Sequence, residues 1–255
     1  MPDVLLKENR DGVLILTLNR PEKKNALNIP MWEGLRDIFL EANEDPRVRV
    51  VVLTANGDNF CAGVDLNDFN NADKSHPFGA AARAIANFEK PLIGAVCGAA
   101  VGGGATILFH CDVVYVGESL RMRLPFVNLG VVPEFASSYL LQVNIGAQRA
   151  AELMYTAEWI NAERALQTGI AADSFADDQV LPHALEKAAQ MAQWPVNSLR
   201  ETKRCLKAPH KDAIAAAFEV EDEAMYRQAG SPENVEAIMA FLEKRAPDFA
   251  KLIED

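Results

Sequence analysis

The sequence predicts an α/β protein whose core is a parallel β-sheet with crossover helices. Short runs of β-branched residues alternate with helical segments as far as about residue 133, which is the rhythm of βαβ units. The 255 residues are 49% hydrophobic and 24% charged, a composition that disfavours disorder or a fibrous repeat. Active sites in such sheets form where strands end in loops, so the loops after the strands are the candidate positions for a site.

Four strands and two helical segments are predicted in the first half of the chain. A helix is expected to begin at Asn28 as its N-cap, with Pro30 in its first turn, and to end at residues 44–46. The polar stretch 67–76 predicts a loop, and an alanine-rich helical turn follows it as far as Phe88. The β-branched runs predict strands at 13–18, 48–54, 91–97 and 112–116.

The second half is predicted to be mainly helical, apart from a short β-type segment at 169–175. No linker or repeat separates the two halves, so we predict an α/β core over residues 1–195 and a helical region over 196–255. Isolated helices are rarely stable, so the helical region is expected to pack on a neighbouring subunit. The individual helices are predicted at about 134–143, 147–156, 161–167, 178–193, 196–207, 211–229 and 232–245.

The charge balance restricts the partners. The chain has 25 Lys and Arg against 36 Asp and Glu, a net charge of -11, which disfavours nucleic acid and an anionic membrane. No apolar run approaches the roughly 18 residues of a membrane span, and the first residues lack the features of a secretory signal, so a cytoplasmic protein is expected. The cysteines and histidines form no cluster with ligand spacing, so neither a metal nor a cofactor is expected.

Two glycine-containing segments, each following a strand, are the strongest candidates for chemistry. They are residues 59–66 (NFCAGVDL) and 97–104 (CGAAVGGG). Glycine lets the backbone approach a ligand closely, and glycines that open a helix expose N–H groups that attract negative charge. Close packing of a helix on a sheet would explain the same glycines equally well. Because the usual nucleotide-phosphate patterns are absent, the segments favour a different kind of anion-stabilising site.

Several short motifs recur in order along nearly the whole chain: residues 18–21 (LNRP), 25–28 (NALN), 60–66 (FCAGVDL), 90–91 (KP), 98, 102–104 (GGG) and 111–112 (CD). With these motifs the chain resembles the crotonase, or enoyl-CoA hydratase/isomerase, superfamily. The resemblance implies a ββα-spiral core, a homotrimer or hexamer, and an acyl-CoA thioester as substrate. It also implies an oxyanion hole whose donors are the N–H groups of Val64 and Gly103. Each such donor contributes about 2.7–4 kcal/mol as charge develops on the thioester oxygen.

The resemblance further implies a set of acyl-CoA contacts. Lys24 and Lys244, together with Lys23, would meet the nucleotide end of CoA, although exposed lysines are equally ordinary on a solvated face. Asp65 is expected to brace its loop by hydrogen bonding to the backbone rather than to transfer a proton. The acyl pocket would be flanked by residues 67–88, whose apolar side chains could equally be core. The remaining contacts are assigned to Ala26, Leu27, Ala62, Gly63, Leu66, Gly102 and Phe126.

The hydratases of this family carry two catalytic glutamates, and this chain has neither. Thr106 and Phe126 stand at those positions, and a hydroxyl and a phenyl ring cannot share the acid/base work of adding water. A different carboxylate, Glu134, lies in residues 128–139 (NLGVVPEFASSY), which resemble the Δ3,Δ2-enoyl-CoA isomerases with their single glutamate base. One base can take a proton from C2 of a 3-enoyl-CoA and return it at C4. We therefore predict this isomerase, acting in fatty acid degradation.

The surroundings of Glu134 bear on that prediction. Its apolar neighbours, among them Val131 and Phe135, are expected to raise its pKa. Taken alone, an acid after a proline is more often a helix N-terminal residue favoured by the helix dipole. Residues 219–223 (EVEDE) are interpreted as a solvated helix face. Two alternatives remain open, namely another acyl-CoA reaction such as hydrolysis, dehalogenation or a dienoyl shift, and a non-catalytic acyl-CoA-binding protein.

Overall fold

The computed structural model describes residues 3–65 and 76–252. Leu66, which is predicted to contact the substrate, and most of the loop predicted at 67–76 lie outside the described residues. The chain divides into two compact units, the first formed by the residues up to Arg123 with Trp159–Lys211, and the second by Leu124–Glu158 with the residues from Asp212. The predicted division after residue 195 stays a prediction.

A six-stranded sheet forms the centre of the first unit. Its spatial order is β1-β2-β3-β4-β6-β9, with β1 antiparallel to β2 and every other pair parallel. Central strands such as β3 and β4 are apolar on both faces, as expected for parallel strands covered on both sides. The strands are β1 (Leu5–Arg10), β2 (Val13–Leu18), β3 (Val50–Ala55), β4 (Leu92–Val96), β6 (Val113–Gly117) and β9 (Asp173–Phe175).

The sequence predicts the four central strands to within a few residues and misses the edge strand β1. Five of the six residues of β1 are exposed, and its sequence, LLKENR, has neither the β-branched run nor the alternation that marks a strand. Its pairing with β2 is supplied by the backbone, in register from Leu5 opposite Leu18 to Arg10 opposite Val13. Pairing with β2, and not its own residue pattern, therefore makes this segment a strand.

Helices cover the sheet of the first unit. The helix α7 packs against β3, β4 and β6, and buries Val180, Ala184 and Ala188 in the core against them. The N-cap of α1 is Asn28 as predicted, since its side-chain Oδ1 accepts a hydrogen bond of 3.2 Å from the Met31 N–H. The helices of this unit are α1 (Ile29–Glu44), α2 (Phe78–Ala86), α3 (Gly103–Thr106), α6 (Ala162–Thr168), α7 (Asp177–Ala192) and α8 (Val196–Lys207).

A second sheet of three very short strands also belongs to the first unit. It consists of β5 (Ala99–Val101), β7 (Arg121–Arg123) and β8 (Ile160–Asn161), with β7 parallel to β5 and antiparallel to β8. Strands of two or three residues are too short to show a periodic pattern, so the sequence analysis predicts none of them. This sheet bears on the candidate site because β5 lies inside 97–104, the second of the two glycine-containing segments.

The second unit is helical. Its helices are α4 (Ser137–Ile145), α5 (Ala147–Thr156), α9 (Lys211–Gln228) and α10 (Pro232–Leu242), with a 3-10 turn at Val127–Leu129. The prediction that a helix begins at Glu134 is wrong, because Phe135 and Ala136 have φ angles of 65° and 54° and break the helical path. In the described parts of the chain, no helix is both long and apolar enough to cross a membrane.

Candidate active site

The loop 59–65 in the first unit is held from two sides by backbone hydrogen bonds. On one side the Cys61 N–H donates to the Ala99 carbonyl and the Val101 N–H donates to the Cys61 carbonyl, each at 2.9 Å. On the other side the Ala62 N–H donates to the Lys24 carbonyl at 2.9 Å, and the Leu27 N–H donates to the Gly63 carbonyl at 2.7 Å. The structure thus joins the two predicted glycine segments to one another.

These bonds orient the two predicted oxyanion donors. Val64 pairs with Leu27 as in a parallel β-ladder. The Leu27 N–H donates to the Gly63 carbonyl and the Asp65 N–H donates to the Leu27 carbonyl, so the Val64 N–H points away from Leu27. Gly103 is the first residue of α3, where an N–H has no partner within the helix. Among the described residues neither N–H group has a hydrogen-bond acceptor. Their role as oxyanion donors stays a prediction.

The three glycines at 102–104 serve different purposes. Gly102 has φ 52° and ψ -123°, a conformation that favours glycine, and its carbonyl accepts from the Ala105 and Thr106 N–H groups. At Gly104 a Cβ would lie 2.5 Å from the Cys61 Cβ, so this position is glycine for close packing. Since α3 has only four residues, its macrodipole is small. The packing interpretation therefore holds for Gly104, and the anion-stabilising role of Gly103 stays a prediction.

An ion pair supports the loop at its last described residue. The Arg20 Nη2 donates to the Asp65 Oδ2 at 3.0 Å, and only 13% and 12% of the two side chains are exposed. The Arg20 Nη1 also donates to the Ala26 carbonyl at 2.6 Å. The expected bracing of the loop by Asp65 through the backbone stays a prediction, and the structure shows an ion pair with Arg20. Arg20 lies in the LNRP motif, which does not by itself indicate this role.

The predicted CoA-contacting residues occupy different settings. Lys24 is exposed in a left-handed turn of the first unit, and its carbonyl is bonded to the Ala62 N–H. The N–H and carbonyl groups of Ala26 and of Leu27 are all bonded within the protein, so further contacts to them would use a second carbonyl lone pair or apolar surface. Lys244, in the second unit, is exposed. Their contacts with CoA stay predictions.

Thr106 and Phe126, which stand at the two positions where hydratases carry glutamates, are both buried. The Thr106 side chain is fully buried and its Oγ1 donates to the Gly103 carbonyl at 3.4 Å, a long bond that turns the hydroxyl back into its own helix. Phe126, in the second unit, is 4% exposed and starts the 3-10 turn at Val127–Leu129. Neither side chain offers a group that exchanges a proton.

Glu134 lies in a turn of the second unit that begins where α10 packs. The Asn234 Nδ2 donates to the Leu129 carbonyl at 2.6 Å, and a Cβ on Gly130 would lie 2.7 Å from the Asn234 nitrogen. After Glu134 come the two left-handed residues Phe135 and Ala136, and each costs about 1–2 kcal/mol in that conformation. A strained turn of this kind persists only where neighbouring groups hold it.

The turn that carries Glu134 is held by the buried carboxylate of Glu221. Glu221 on α9 is 4% exposed, and its Oε2 and Oε1 accept hydrogen bonds from the N–H groups of Ala136 at 2.6 Å and Ser138 at 2.8 Å. One turn earlier on α9, Phe218 packs on Phe135 with 6.3 Å between the ring centroids. The interpretation of 219–223 as a solvated face is therefore wrong for Glu221. Its position on the apolar stripe of Ile214, Ala217 and Phe218 is the sequence signal that marks it.

The setting of Glu134 changes its acidity. Burial, and then the negative charge of Glu221, raise the pKa of Glu134 from 4.5 to about 7. The direction agrees with the expectation from the apolar neighbours of Glu134, and the charge of Glu221 is an additional cause. Burial also raises the pKa of Glu221, and the hydrogen bonds from Ser138 and Ala136 oppose that shift. A carboxyl group with a pKa near 7 can both accept and return a proton at neutral pH.

No group of three or more His, Cys, Asp or Glu side chains within 3–65 and 76–252 is placed to hold a metal ion. The predicted donors Val64 and Gly103, with Ala62, Gly63 and Gly102, are brought together in the first unit. Glu134, Phe126 and Lys244 belong to the second unit. Residues that the sequence analysis did not single out for the site are Arg20, Glu221 and Asn234.

Comparison with known proteins identifies the family. The profile of the family described as enoyl-CoA hydratase/isomerase matches residues 8–252. The 2,3-dehydroadipyl-CoA hydratase of Escherichia coli strain K12 is 35% identical over 250 residues, which cover 96% of this chain and 98% of that protein. The 1,2-epoxyphenylacetyl-CoA isomerase of the same strain is 30% identical over 260 residues, covering 98% and 99%.

A crystal structure of an enoyl-CoA hydratase/isomerase from Pseudoalteromonas atlantica T6c superposes with a TM-score of 0.94 at 40% identity, covering 97% of this chain and all of that one. The chain belongs to the enoyl-CoA hydratase/isomerase, or crotonase, family. The predicted fold class, α/β with a helical C-terminal part, is confirmed. The protein is an enzyme of this family with an acyl-CoA reaction of the hydratase or isomerase type. Hydratases and isomerases both occur among its relatives, so its own residues decide between the two reactions.

Proposed function

We propose that this protein is a Δ3,Δ2-enoyl-CoA isomerase that converts a 3-enoyl-CoA to the trans-2-enoyl-CoA. The observation that carries the proposal is the buried carboxyl group of Glu134, whose pKa is raised to about 7. Glu221 accepts hydrogen bonds from two backbone N–H groups, and in this proposal it holds the turn and is not a second proton-transfer group. A 1,3-proton shift needs one such group, whereas adding water to a double bond needs two.

The reaction then proceeds in two proton transfers. The thioester oxygen accepts hydrogen bonds from the Val64 and Gly103 N–H groups, which contribute about 2.7–4 kcal/mol each as charge develops. The Glu134 carboxylate takes a proton from C2, the C–H electron pair becomes part of a dienolate, and the double bond moves. The protonated Glu134 then gives its proton to C4, which leaves the C2–C3 double bond conjugated with the thioester. No electrons are exchanged with another molecule, so the proposed reaction uses no cofactor.

The relative named as a hydratase makes hydration the competing function. Against it stand the buried Thr106, with its hydroxyl bonded to Gly103, and the buried Phe126 at the two hydratase positions. The relative named as an isomerase supports a reaction that moves atoms within the acyl group. Acyl-CoA hydrolysis, dehalogenation, a dienoyl shift and ligand binding without turnover are the remaining alternatives, and product analysis separates them.

The experiment follows the conjugated product by ultraviolet absorbance with 3-enoyl-CoA as substrate. We expect turnover by the wild type and a loss of about 100-fold or more in kcat in Glu134→Gln, the contribution typical of a general base. Glu219→Gln is the matched control, because it makes the same change at an exposed position of α9. Hydration of 2-enoyl-CoA is measured in parallel. A wild type that only hydrates, or a Glu134→Gln variant with full isomerase activity, would contradict the proposal.

We also propose a homotrimer or hexamer in the cytoplasm, assembled through residues 196–255. Large apolar side chains on this region are exposed in the isolated chain, with Leu206 at 70%, Val220 at 64% and Phe241 at 60%. Exposed apolar surface of this extent supports a subunit interface. Sedimentation equilibrium should give three or six times the chain mass of 27.9 kDa, and a monomer mass would contradict it.

A further inference from the structure

The helix α9 buries two side chains among its described residues, Phe218 and Glu221. Both contact the turn that carries Glu134, because Phe218 packs on Phe135 and Glu221 accepts the N–H groups of Ala136 and Ser138. An ionisable side chain is rarely buried without a partner, and here the partners are the Ala136 and Ser138 N–H groups and the Ser138 side chain, which follow Glu134 by two and four residues.

We propose that Glu221 is a positioning residue, whose carboxylate fixes the Glu134–Ser138 turn and thereby the direction in which Glu134 presents its own carboxyl group. The proposal deepens the proposed function and rests on it in taking Glu134 as the proton-transfer group. Two consecutive left-handed residues separate Glu134 from α4, and the turn keeps one backbone hydrogen bond of its own there, from the Ser137 N–H to the Glu134 carbonyl at 3.1 Å. The two bonds that Glu221 accepts add to it and attach the turn to α9.

Glu221 has a second effect through its charge. Its negative charge disfavours a second negative charge on Glu134, which keeps Glu134 able to hold the proton between the two transfer steps. Of the other groups that act on this pair, Asp222 is exposed on the same helix and Ser138 lies on α4. The length of the Glu221 side chain and its negative charge act separately, and two substitutions distinguish their effects.

Glu221→Asp keeps the charge and shortens the side chain by one methylene, so it cannot reach both N–H groups. Glu221→Gln keeps the length, removes the charge and replaces one acceptor oxygen by an amide donor. We expect both to lower kcat by about tenfold or more with KM changed by less than about threefold, because the turn no longer fixes Glu134. Only Glu221→Gln should also move the acid limb of the pH–rate profile to lower pH. Glu219→Gln, on the exposed face of α9, should behave as the wild type.

A titration that needs no substrate separates this proposal from the isomerase proposal. In protein labelled with 13C at the glutamate carboxyl carbons, the Glu134 signal is the one absent from Glu134→Gln. Its titration midpoint should be lower in Glu221→Gln than in the wild type and nearly unchanged in Glu219→Gln. An inactive wild type with this shift would overturn the isomerase function and leave the coupling of the two glutamates intact. Wild-type kcat together with an unmoved Glu134 midpoint in Glu221→Gln would overturn the role of Glu221.

Discussion

The guanidinium of Arg20 donates a hydrogen bond of 3.0 Å to the carboxylate of Asp65, the residue that follows the proposed oxyanion donor Val64. The same guanidinium donates to the Ala26 carbonyl at 2.6 Å. One side chain therefore links the segment around Ala26 to the loop that carries Val64. The buried Asn25 adds bonds from its Nδ2 to the carbonyls of Asn56 and Asn59. The proposed oxyanion site is thus supported by polar side chains around it.

Replacing Arg20 should therefore affect both stability and catalysis. In Arg20→Gln the Asp65 carboxylate, 12% exposed, loses its ion pair with Arg20, and removing one member of a buried pair costs about 3 kcal/mol. We expect a lower urea midpoint and a lower kcat, because the Val64 N–H loses its fixed direction. Arg204→Gln is the control, since its pair with Glu201 is 75% and 65% exposed and contributes at most about 1 kcal/mol. Equal stability of the two variants would refute a supporting role for Arg20.

Gly104→Ala tests the contact between the two glycine segments. The new Cβ would lie 2.5 Å from the Cys61 Cβ and 2.7 Å from the Cys61 carbonyl oxygen, so α3 must move away from the loop. Overpacking of this kind costs about 1–3 kcal/mol, and the displaced Gly103 N–H should lower kcat. Gly34→Ala, in α1, is the control, because its Cβ would lie 2.7 Å from the end of the Leu5 side chain, which can shift, and it should leave activity unchanged. Crystal structures of both variants would check the displacement.

The isomerase rate should depend on pH through Glu134. Because its pKa is raised to about 7, the active carboxylate form is lost as the pH falls below neutrality. We expect kcat/KM to rise with pH with a midpoint near 7. A midpoint near 4.5, the ordinary value for a glutamate, would mean that Glu134 is solvated in the working enzyme or is not the base.

The same shift predicts a cost in stability. Between pH 4.5 and about 7 the folded protein holds a proton on Glu134 that the unfolded chain has released, so the free energy of unfolding falls as the pH rises through this window. Glu134→Gln should be more stable than the wild type at pH 8, by up to about 3 kcal/mol, and the difference should shrink toward pH 5. Urea denaturation at the two pH values measures it. A difference that does not change with pH would contradict the buried charge.

Local pattern predicts much of the framework and little of the support around the site. The strand 13–18, the N-cap Asn28 and the helices at 147–156 and 196–207 agree with the structure, because each depends on periodicity or capping within its own segment. The edge strand β1 and the short strands β5, β7 and β8 do not show in the sequence, since their pairing partners are distant in the chain.

For the candidate site the same division holds. The motifs point to Val64, Gly103 and Glu134, and the structure gives the first two unpaired N–H groups among the described residues and the third a raised pKa. Glu221 was interpreted as a surface acid because it stands in an acidic run. Its burial depends on a contact across 85 residues with Ala136, which no local pattern contains.

By itself the sequence determines the class of fold, the two glycine segments and the candidate base, because backbone propensity, side-chain periodicity and residue chemistry are local properties. Tertiary structure decides which N–H groups of the described residues remain unpaired, which carboxylate is buried beside Glu134 and which arginine supports the loop that ends at Asp65. Hydrogen-bond direction and burial arise only when segments distant in the chain pack together, and these two quantities set the acidity of Glu134 and the orientation of the oxyanion donors.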